Sequence, residues 1–211
     1  MSCLVLSQTS PLARVLVSRL RNKQTRPPAF REAVHQLSLL LATKAADHLC
    51  FEDVLVKTPL EETIGTIIRS PAVLVPIMRS GSGMLPAFQT FLPGALVWHV
   101  SMSRDEETLE PNLTGSKIPH RTRSRARVHF VLDPMLATGG SASLAIQQLK
   151  KAGARTIVFV GIFGAPEGVD QLQCDHPDVP VILAVVDRSL NKRGFIQPGC
   201  GDAGDRQFPT K

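Results

Sequence analysis

Four stretches of this chain combine small residues with charge in patterns that suit phosphate and sugar chemistry. The first is VLDPMLATGGSA, residues 131–142, where an apolar run ends in Asp133 and a small-residue turn leads into a helical pattern. An acid at a strand end can accept hydrogen bonds from sugar hydroxyls. Ala137, Thr138, Gly139, Gly140 and Ser141 then present backbone N–H groups at a helix start, where dipole, amides and hydroxyls all favour a phosphate. This is not a Walker A loop, because the GK[ST] ending is absent and Lys150 lies too far along the helix. Simple ATP or GTP hydrolysis is therefore disfavoured at this turn. The plainer reading is an ordinary helix cap by Thr138 or Ser141.

The second stretch is Met78-Arg79-Ser80-Gly81-Ser82-Gly83. Its small residues let the backbone approach a ligand and offer N–H groups to an anion, and Arg79 adds a charged fork for phosphate. The third, SRDEETLEPN (103–112), sets Arg104 beside Asp105, Glu106, Glu107 and Glu110. Its length, up to His120, reads as a loop of the kind that closes over sites. The fourth, NKRGFIQPGCGDAGDRQF (191–208), carries Gly194, Gly199, Gly201, Gly204 and Pro198. Such a backbone can hold a flat heterocycle by main-chain hydrogen bonds, with Phe195 and Ile196 over its face and Asp202 and Asp205 at its polar edges. Each of these has a plainer reading taken alone: a tight turn, a solvated excursion, a crossing loop.

The elements that must position these stretches alternate. Apolar, Val- and Ile-rich runs at 72–77, 95–100, 128–132, 156–163 and 179–186 read as strands covered on both faces. Helical patterns lie between them: GMLPAFQTF, SASLAIQQLKK stopped by Gly153, and PEGVDQLQC. An N-terminal helix over 30–49 is signalled by Phe30, Ala33, Val34, Leu37, Leu41, Ala45 and Leu49 on one stripe. The expectation is an α/β fold with a mostly parallel central sheet flanked by helices. Ligands of such sheets gather at the carboxyl ends of the strands, where the four stretches fall.

At 211 residues the chain suits one domain: an N-terminal helical segment 1–50, a core 51–187 and a C-terminal hood segment 188–211. No run approaches the roughly 18 apolar residues of a membrane span. The net charge of +6 admits nucleic acid or a polyanionic small molecule. Only HRTRSRAR, His120 to Arg127, concentrates it, and a solvated surface loop is the simpler reading. Cys3, Cys50, Cys174 and Cys200 have no metal-ligand spacing and read as free thiols of a reducing compartment. The Arg-rich, acid-free N-terminus also fits a mitochondrial transit peptide.

Taken together, VPIMRSGSGM (75–84), SRDEETLEP (103–111), DPMLATGGSA (133–142), APEGV with HPDV (165–169, 176–179) and GFIQPGCGDAGDRQF (194–208) resemble the uracil phosphoribosyltransferase family of the type I phosphoribosyltransferase superfamily. Asp133-Pro134, where other branches usually carry two adjacent acids, points to the uracil branch. The resemblance implies conversion of uracil and 5-phosphoribosyl 1-diphosphate (PRPP) to UMP and diphosphate. It implies that Arg79 and Arg104 contact the diphosphate and that Asp133 holds ribose hydroxyls. The segment Pro134, Met135, Leu136, Ala137, Thr138, Gly139, Gly140 and Ser141 would bind PRPP, its last five residues cradling the 5′-phosphate. Ile196, Gly201, Asp202 and Ala203 would bind uracil, with Asp202 also near the ribosyl donor; Arg79, Arg104 and Asp202 would be the catalytic set. It further implies Mg²⁺ carried by PRPP rather than by a protein cage, a homodimer or homotetramer, and GTP as an activator in some members. Because residues 10–34 align with the family's own N-terminal segment, the cytoplasm is expected.

Five residues depart from the family pattern. Phe195 stands for Tyr, Ser80 and Ser82 make RSGSGM of the usual RAGLGM, Ser103 stands for a frequent Tyr, and Cys200 for Leu. Two other readings compete. One is a catalytically weak nucleotide-binding regulator that binds RNA through HRTRSRAR; the other keeps the chemistry but changes the base, with Phe195 and Cys200 lining its pocket.

Overall fold

A computed structural model describes residues 3–69, 72–104, 111–119 and 127–210. Its core is a sheet of nine strands among the described residues: β1 (Cys3–Val5), β4 (Val73–Met78), β5 (Leu96–Val97), β6 (Val100–Arg104), β7 (Pro111–Ser116), β8 (Val128–Leu132), β9 (Met135–Leu136), β10 (Thr156–Gly164) and β11 (Val181–Val186). The order is β1-β11-β10-β8-β4-β6-β7, with β5 on β4 and β9 on β10. Every pairing is parallel except β6 with β7. Two hairpins stand apart, β2 (Phe51–Lys57) with β3 (Glu62–Ile68), and β12 (Ser189–Leu190) with β13 (Ile196–Gln197).

Strand alternation divides the core. Leu74, Phe130, Leu132, Val158, Val160 and Ile182 face one layer, formed by α1 (Pro11–Arg21), α2 (Pro27–Ala45) and α3 (Leu85–Phe91). Val73, Val75, Val131, Phe159, Val181 and Leu183 face the other, formed by α4 (Gly140–Lys151) and α5 (Pro166–Asp175). Since successive strand residues point to opposite faces, strands covered on both sides must be apolar throughout. That is the composition of β8 and β10, which are buried along nearly their whole length.

The helices start where the chain supplies a cap or a proline. Ser10 accepts a hydrogen bond from Ala13 N at the head of α1, with Pro11 in the first turn. α2 starts on Pro27 and ends at Ala45, with one 3-10 turn over Ala46–His48 completing the segment expected to run to residue 49. Lys150 and Lys151 close α4 against its dipole, and Gly153 then turns with a φ of 97°.

Two expectations need correction. The segment 103–120 is not loop throughout: it enters on β6 and returns on β7, with Ser103 opposite Asn112. Residues 105–110, and 120–126 of the basic run, lie outside the described residues. The 95–100 run divides between β5 and β6 rather than forming one strand.

The last element, α6 (Ala203–Gln207), is short and held by tertiary contacts. Arg206 donates to the carbonyls of Leu20, Cys200 (3.0 Å), Asn22 (2.7 Å) and Thr25 (3.3 Å), and lies 4.3 Å over the Phe30 ring. Arg21 in α1 similarly pairs with the buried Asp187 and donates to Gly199 O (3.1 Å), while Gly199 N donates to Asp187 (2.9 Å). Charge-assisted hydrogen bonds contribute about 1.5–3 kcal/mol each before other costs. These two arginines therefore fasten the C-terminal hood to the N-terminal helices far more firmly than a surface ion pair would.

One buried group makes stability depend on pH. His129 on β8 has no exposed surface, donates from Nδ1 to Thr156 O (3.2 Å), and packs with its ring tilted 48° to Trp98 at 5.3 Å. Burial holds its pKa below the ordinary value of 6.5. The folded chain keeps the ring neutral while the unfolded chain protonates it, so this contribution is complete above pH 6.5 and is lost as pH falls toward the lowered value. The expected outcome is a melting temperature that drops between pH 7 and pH 5, with a smaller drop in His129→Leu; equal slopes would exclude His129 as the source.

Candidate active site

Beyond the carboxyl ends of β4 and β8, under the hood, lies a cavity of about 840 Å³. Four segments far apart in sequence reach it: the end of β4 with the turn after it, Met102 and Ser103 of β6, the turn between β8 and α4, and residues 192–204.

The turn before α4 has the backbone expected of an anion seat. Its cap position is Gly139, with a φ of 84°, and no side chain caps the helix. Thr138 and Ser141 thus do not serve as the N-cap, which leaves the first amides of a three-turn helix for another acceptor. Close packing keeps this turn small. A Cβ on Gly168 of α5 would lie 2.2 Å from Ala137 O, and one on Gly139 would lie 2.9 Å from Gly168 O. A small recess beside the main cavity is lined by Leu136, Thr138 and Gly139, and shares Asp133, Met135, Ala137 and Ser141 with it.

Asp133 follows β8 directly and is buried. Its Oδ1 accepts from Ser80 Oγ (3.1 Å) and Met135 N (3.3 Å), which orients the carboxylate toward the cavity it lines. The Arg79 loop packs directly on this strand end: a Cβ on Gly81 would lie 2.2 Å from Leu132 O. The Met78–Arg79 peptide bond is cis.

Arg79 Nη2 donates to Asp205 Oδ1 (2.8 Å) with the two side chains 52% and 62% exposed. A pair so open to solvent contributes at most about 1 kcal/mol. An incoming polyanion can therefore take Arg79 from Asp205 at small cost. Asp202 plays a different part: its Oδ1 accepts from Asp205 N (2.9 Å) and caps α6, which fixes the carboxylate at the cavity wall.

The hood is a hairpin turned by Asn191, whose Oδ1 accepts from Arg193 N (2.9 Å) and Phe195 N (3.0 Å). Glu167 at the head of α5 accepts from Leu190 N (2.9 Å), a bond that holds its carboxyl below the ordinary range. After β13 the chain turns on Gly199 and Gly201, with φ of 56° and 80°. Among the described residues, and apart from its two chain neighbours, no heavy atom lies within 4 Å of where a Gly201 Cβ would sit, so that side of the turn is open. Ile196, Gly201, Asp202 and Ala203 all line the cavity, and Phe195 presents a 43% exposed ring there.

Of the residues singled out in the sequence, Arg79, Asp133, Met135, Ala137, Ser141, Ile196, Gly201, Asp202 and Ala203 meet at the main cavity. Leu136, Thr138 and Gly139 line the recess. Two are not brought to either wall. The Pro134 carbonyl accepts from Ile162 N (3.1 Å) and Phe163 N (2.8 Å) and so serves the sheet, and Gly140 opens α4. Arg104 ends β6, and its side chain lies outside what the structure describes. Cys200 departs from expectation: it does not line the cavity but is buried behind it, its Sγ 3.9 Å from Met135 Sδ, and burial pushes its thiol up to about 12. Reasoning from sequence missed Lys192 and Arg193, which also line the cavity. The signal was available as two cations directly before the turn glycine Gly194. With Arg79 they set three cations against Asp133 and Asp202, a balance suited to a substrate of several negative charges.

The profile of one protein family, Uracil phosphoribosyltransferase, matches residues 7–210. A uracil phosphoribosyltransferase of Streptococcus uberis is 46% identical over 210 residues, covering 99% of both chains. The solved structure of the AQ2163 protein of Aquifex aeolicus superposes with a TM-score of 0.90 at 29% identity, covering 99% of each chain. A purine phosphoribosyltransferase of Pyrococcus horikoshii shares the fold alone, with a TM-score of 0.52 at 15% identity over 75% of this chain and 85% of that one. With a central parallel sheet, helices on both faces and a family profile spanning nearly its whole length, the chain belongs to the uracil phosphoribosyltransferase family.

Proposed function

We propose that this chain transfers the 5-phosphoribosyl group of PRPP to uracil, forming UMP and diphosphate in pyrimidine salvage. One observation carries the reading. An uncapped helix N-terminus, a buried strand-end acid, a cationic loop and a glycine-turned hood face one cavity and the recess that adjoins it. Those are the features needed for a 5′-phosphate, a ribose, a diphosphate and a planar base. The names of the relatives support the same chemistry.

In this reading the turn at Ala137–Ser141 takes the 5′-phosphate and Asp133 accepts from the ribose hydroxyls. Arg79 exchanges Asp205 for the diphosphate, with Arg104 as the second cation. The backbone of Ile196, Gly201 and Ala203 reads the edges of uracil, while Asp202 stands between base and donor. The bond from C1′ to the diphosphate oxygen breaks and its electron pair leaves with diphosphate. Uracil N1 forms the new bond to C1′ and gives its proton to water or to the leaving group. Positive charge grows on the ribose ring and negative charge on the leaving group, so cations fixed beforehand at the diphosphate lower the barrier. Alignment of base and C1′ supplies the rest.

Asp133 and Asp202, the two cavity-lining acids, are oxygen donors of the kind Mg²⁺ takes, and neither belongs to a group of three or more metal-ligating side chains among the described residues. That donor set fits an ion that arrives on the diphosphate and keeps much of its water. Bound there, Mg²⁺ supplies further neutralisation of the leaving group.

A homodimer or homotetramer is part of the proposal, supported by the β2–β3 arm. Leu55 and Ile64, paired across the arm, are each 66% exposed, and Leu60 at its tip is 96% exposed. Apolar surface of this kind marks an interaction site, and a second copy of the chain is the occupant the reading requires. GTP enters as an activator through the family resemblance. The cytoplasm is the proposed compartment, supported by four cysteines that form no disulfide. No helix among the described residues is long and apolar enough to cross a membrane.

Incubation with uracil, PRPP and Mg²⁺ is expected to yield UMP and diphosphate; a folded sample that yields none would refute the assignment. Asp202→Ala is expected to abolish turnover while circular dichroism stays close to wild type and the melting temperature falls only by the modest amount of a lost helix cap. Near-normal rates in that variant would remove Asp202 from the base site. Sedimentation should show an oligomer that Leu55→Asp with Ile64→Asp converts to monomer, and a wild-type monomer would rule out the arm as an interface.

A further inference from the structure

Through Ser80 the Arg79 loop touches both the ribose carboxylate and the C-terminal helix. Its hydroxyl donates to Asp133 Oδ1 (3.1 Å), and its carbonyl accepts from Gln207 Nε2 (3.2 Å). Gln207, the last residue of α6, is fully buried. Its amide also donates to Ala203 O (3.0 Å), and its own backbone carbonyl accepts from Arg31 Nη1 (2.8 Å).

The chemistry of Gln207 makes this arrangement informative. Its Oε1 is buried without a hydrogen-bond partner among the described residues, pressed so close to Gly83 that a Cβ there would lie 1.7 Å away. An orphaned buried carbonyl is destabilising, whereas an apolar side chain of similar size would fill the space without that cost. What the amide alone supplies is its pair of N–H bonds, one within α6 and one to Ser80. A second link joins the same elements, the Arg79–Asp205 pair, but it is exposed and must open when Arg79 takes an anion. The part-buried link from Gln207 through Ser80 to Asp133 needs no such opening and is the one that can persist with the donor bound.

We propose that Gln207 and Ser80 form a positioning strut that couples the base-binding helix to the ribose carboxylate. α6, which begins at the base-site residues Asp202 and Ala203, sets Ser80 through Gln207 at its far end, and Ser80 sets the rotamer of Asp133. Gln207 lies off the cavity wall, whereas Ser80 lines it with its hydroxyl given to Asp133, and both act as positioning residues through that carboxylate. The inference rests on the proposed function, because it takes Asp133 as the ribose ligand. It also gives a physical role to Ser80, one of the departures from the family's RAGLGM loop.

The test compares Ser80→Ala, Gln207→Leu and the double variant. Binding of PRPP with Mg²⁺ is measured by calorimetry, and steady-state kinetics with uracil are run alongside. Each single variant is expected to weaken PRPP binding by roughly 5- to 30-fold, the range for losing one hydrogen bond of a charged network. kcat should change by less than about threefold, because the strut acts before the transition state in placing the donor. The double variant should bind PRPP no more weakly than the worse single, since both cut one connection. A purely structural role would lower the melting temperature and kcat together instead. PRPP affinity within about twofold of wild type in either single variant overturns the strut, as do losses that multiply in the double variant. Wild-type chain that binds PRPP but forms no UMP overturns the function alone, because the calorimetric comparison still reads the strut. Wild-type chain that binds no PRPP overturns both.

Discussion

No side chain fits between the Arg79 loop and the end of β8. The carbonyl of Leu132 occupies the space where a Gly81 Cβ would project, and the carbonyl of Ala137 does the same at Gly168. The ligand-facing turns are therefore stacked backbone against backbone, with strand β8 and helix α5 as their supports. Everything else in the site follows from that closeness. Ser80 reaches Asp133 because the loop lies flat on the strand end, and the helix amides at Gly139 stay uncovered because the turn is too tight to carry a capping side chain. A parallel sheet makes this possible, since all its carboxyl ends open on the same edge and its crossover helices bring their N-termini there.

The electrostatic contacts of the site fall into two strengths, which match two tasks. Arg206 and Arg21 are bound by several partners each and stack on Phe30 and Phe163. They keep the hood where it is, in a place that so short a segment of chain could not hold by hydrophobic burial alone. Arg79 and Asp205 meet in solvent and are weakly coupled. Strong contacts locate the wall of the cavity, and the weak one leaves a cation available for exchange.

How much of this the sequence displays varies with physics rather than with distance from the site. β8 and β10 announce themselves, because burial on both faces demands continuous apolar residues. The α4 turn is equally plain, since an acid, a turn and a helical stripe occur in sequence within 131–142. The β2–β3 arm is not visible, because its apolar residues are exposed on both strands and show no alternation against a core. α6 is hidden for another reason: five residues cannot form a helix on intrinsic propensity, and its cap at Asp202 needs Arg206 and Gln207 docked elsewhere. The exclusion of Pro134 and Cys200 from the cavity wall is likewise tertiary, since sequence shows that a residue neighbours a site but not which way it faces.

The pairing of Arg79 with Asp205 also means that the cavity is not a bare positive surface. Asp205 acts as a resident counter-ion, so an anion that took Arg79 would exchange with another anion rather than neutralise an uncovered cation. Exchange reactions release fewer bound ions from solution than neutralisations do, which flattens their response to ionic strength. The same carboxylate selects by charge, for a monoanion gains little over the partner it displaces, while a polyanion gains a great deal.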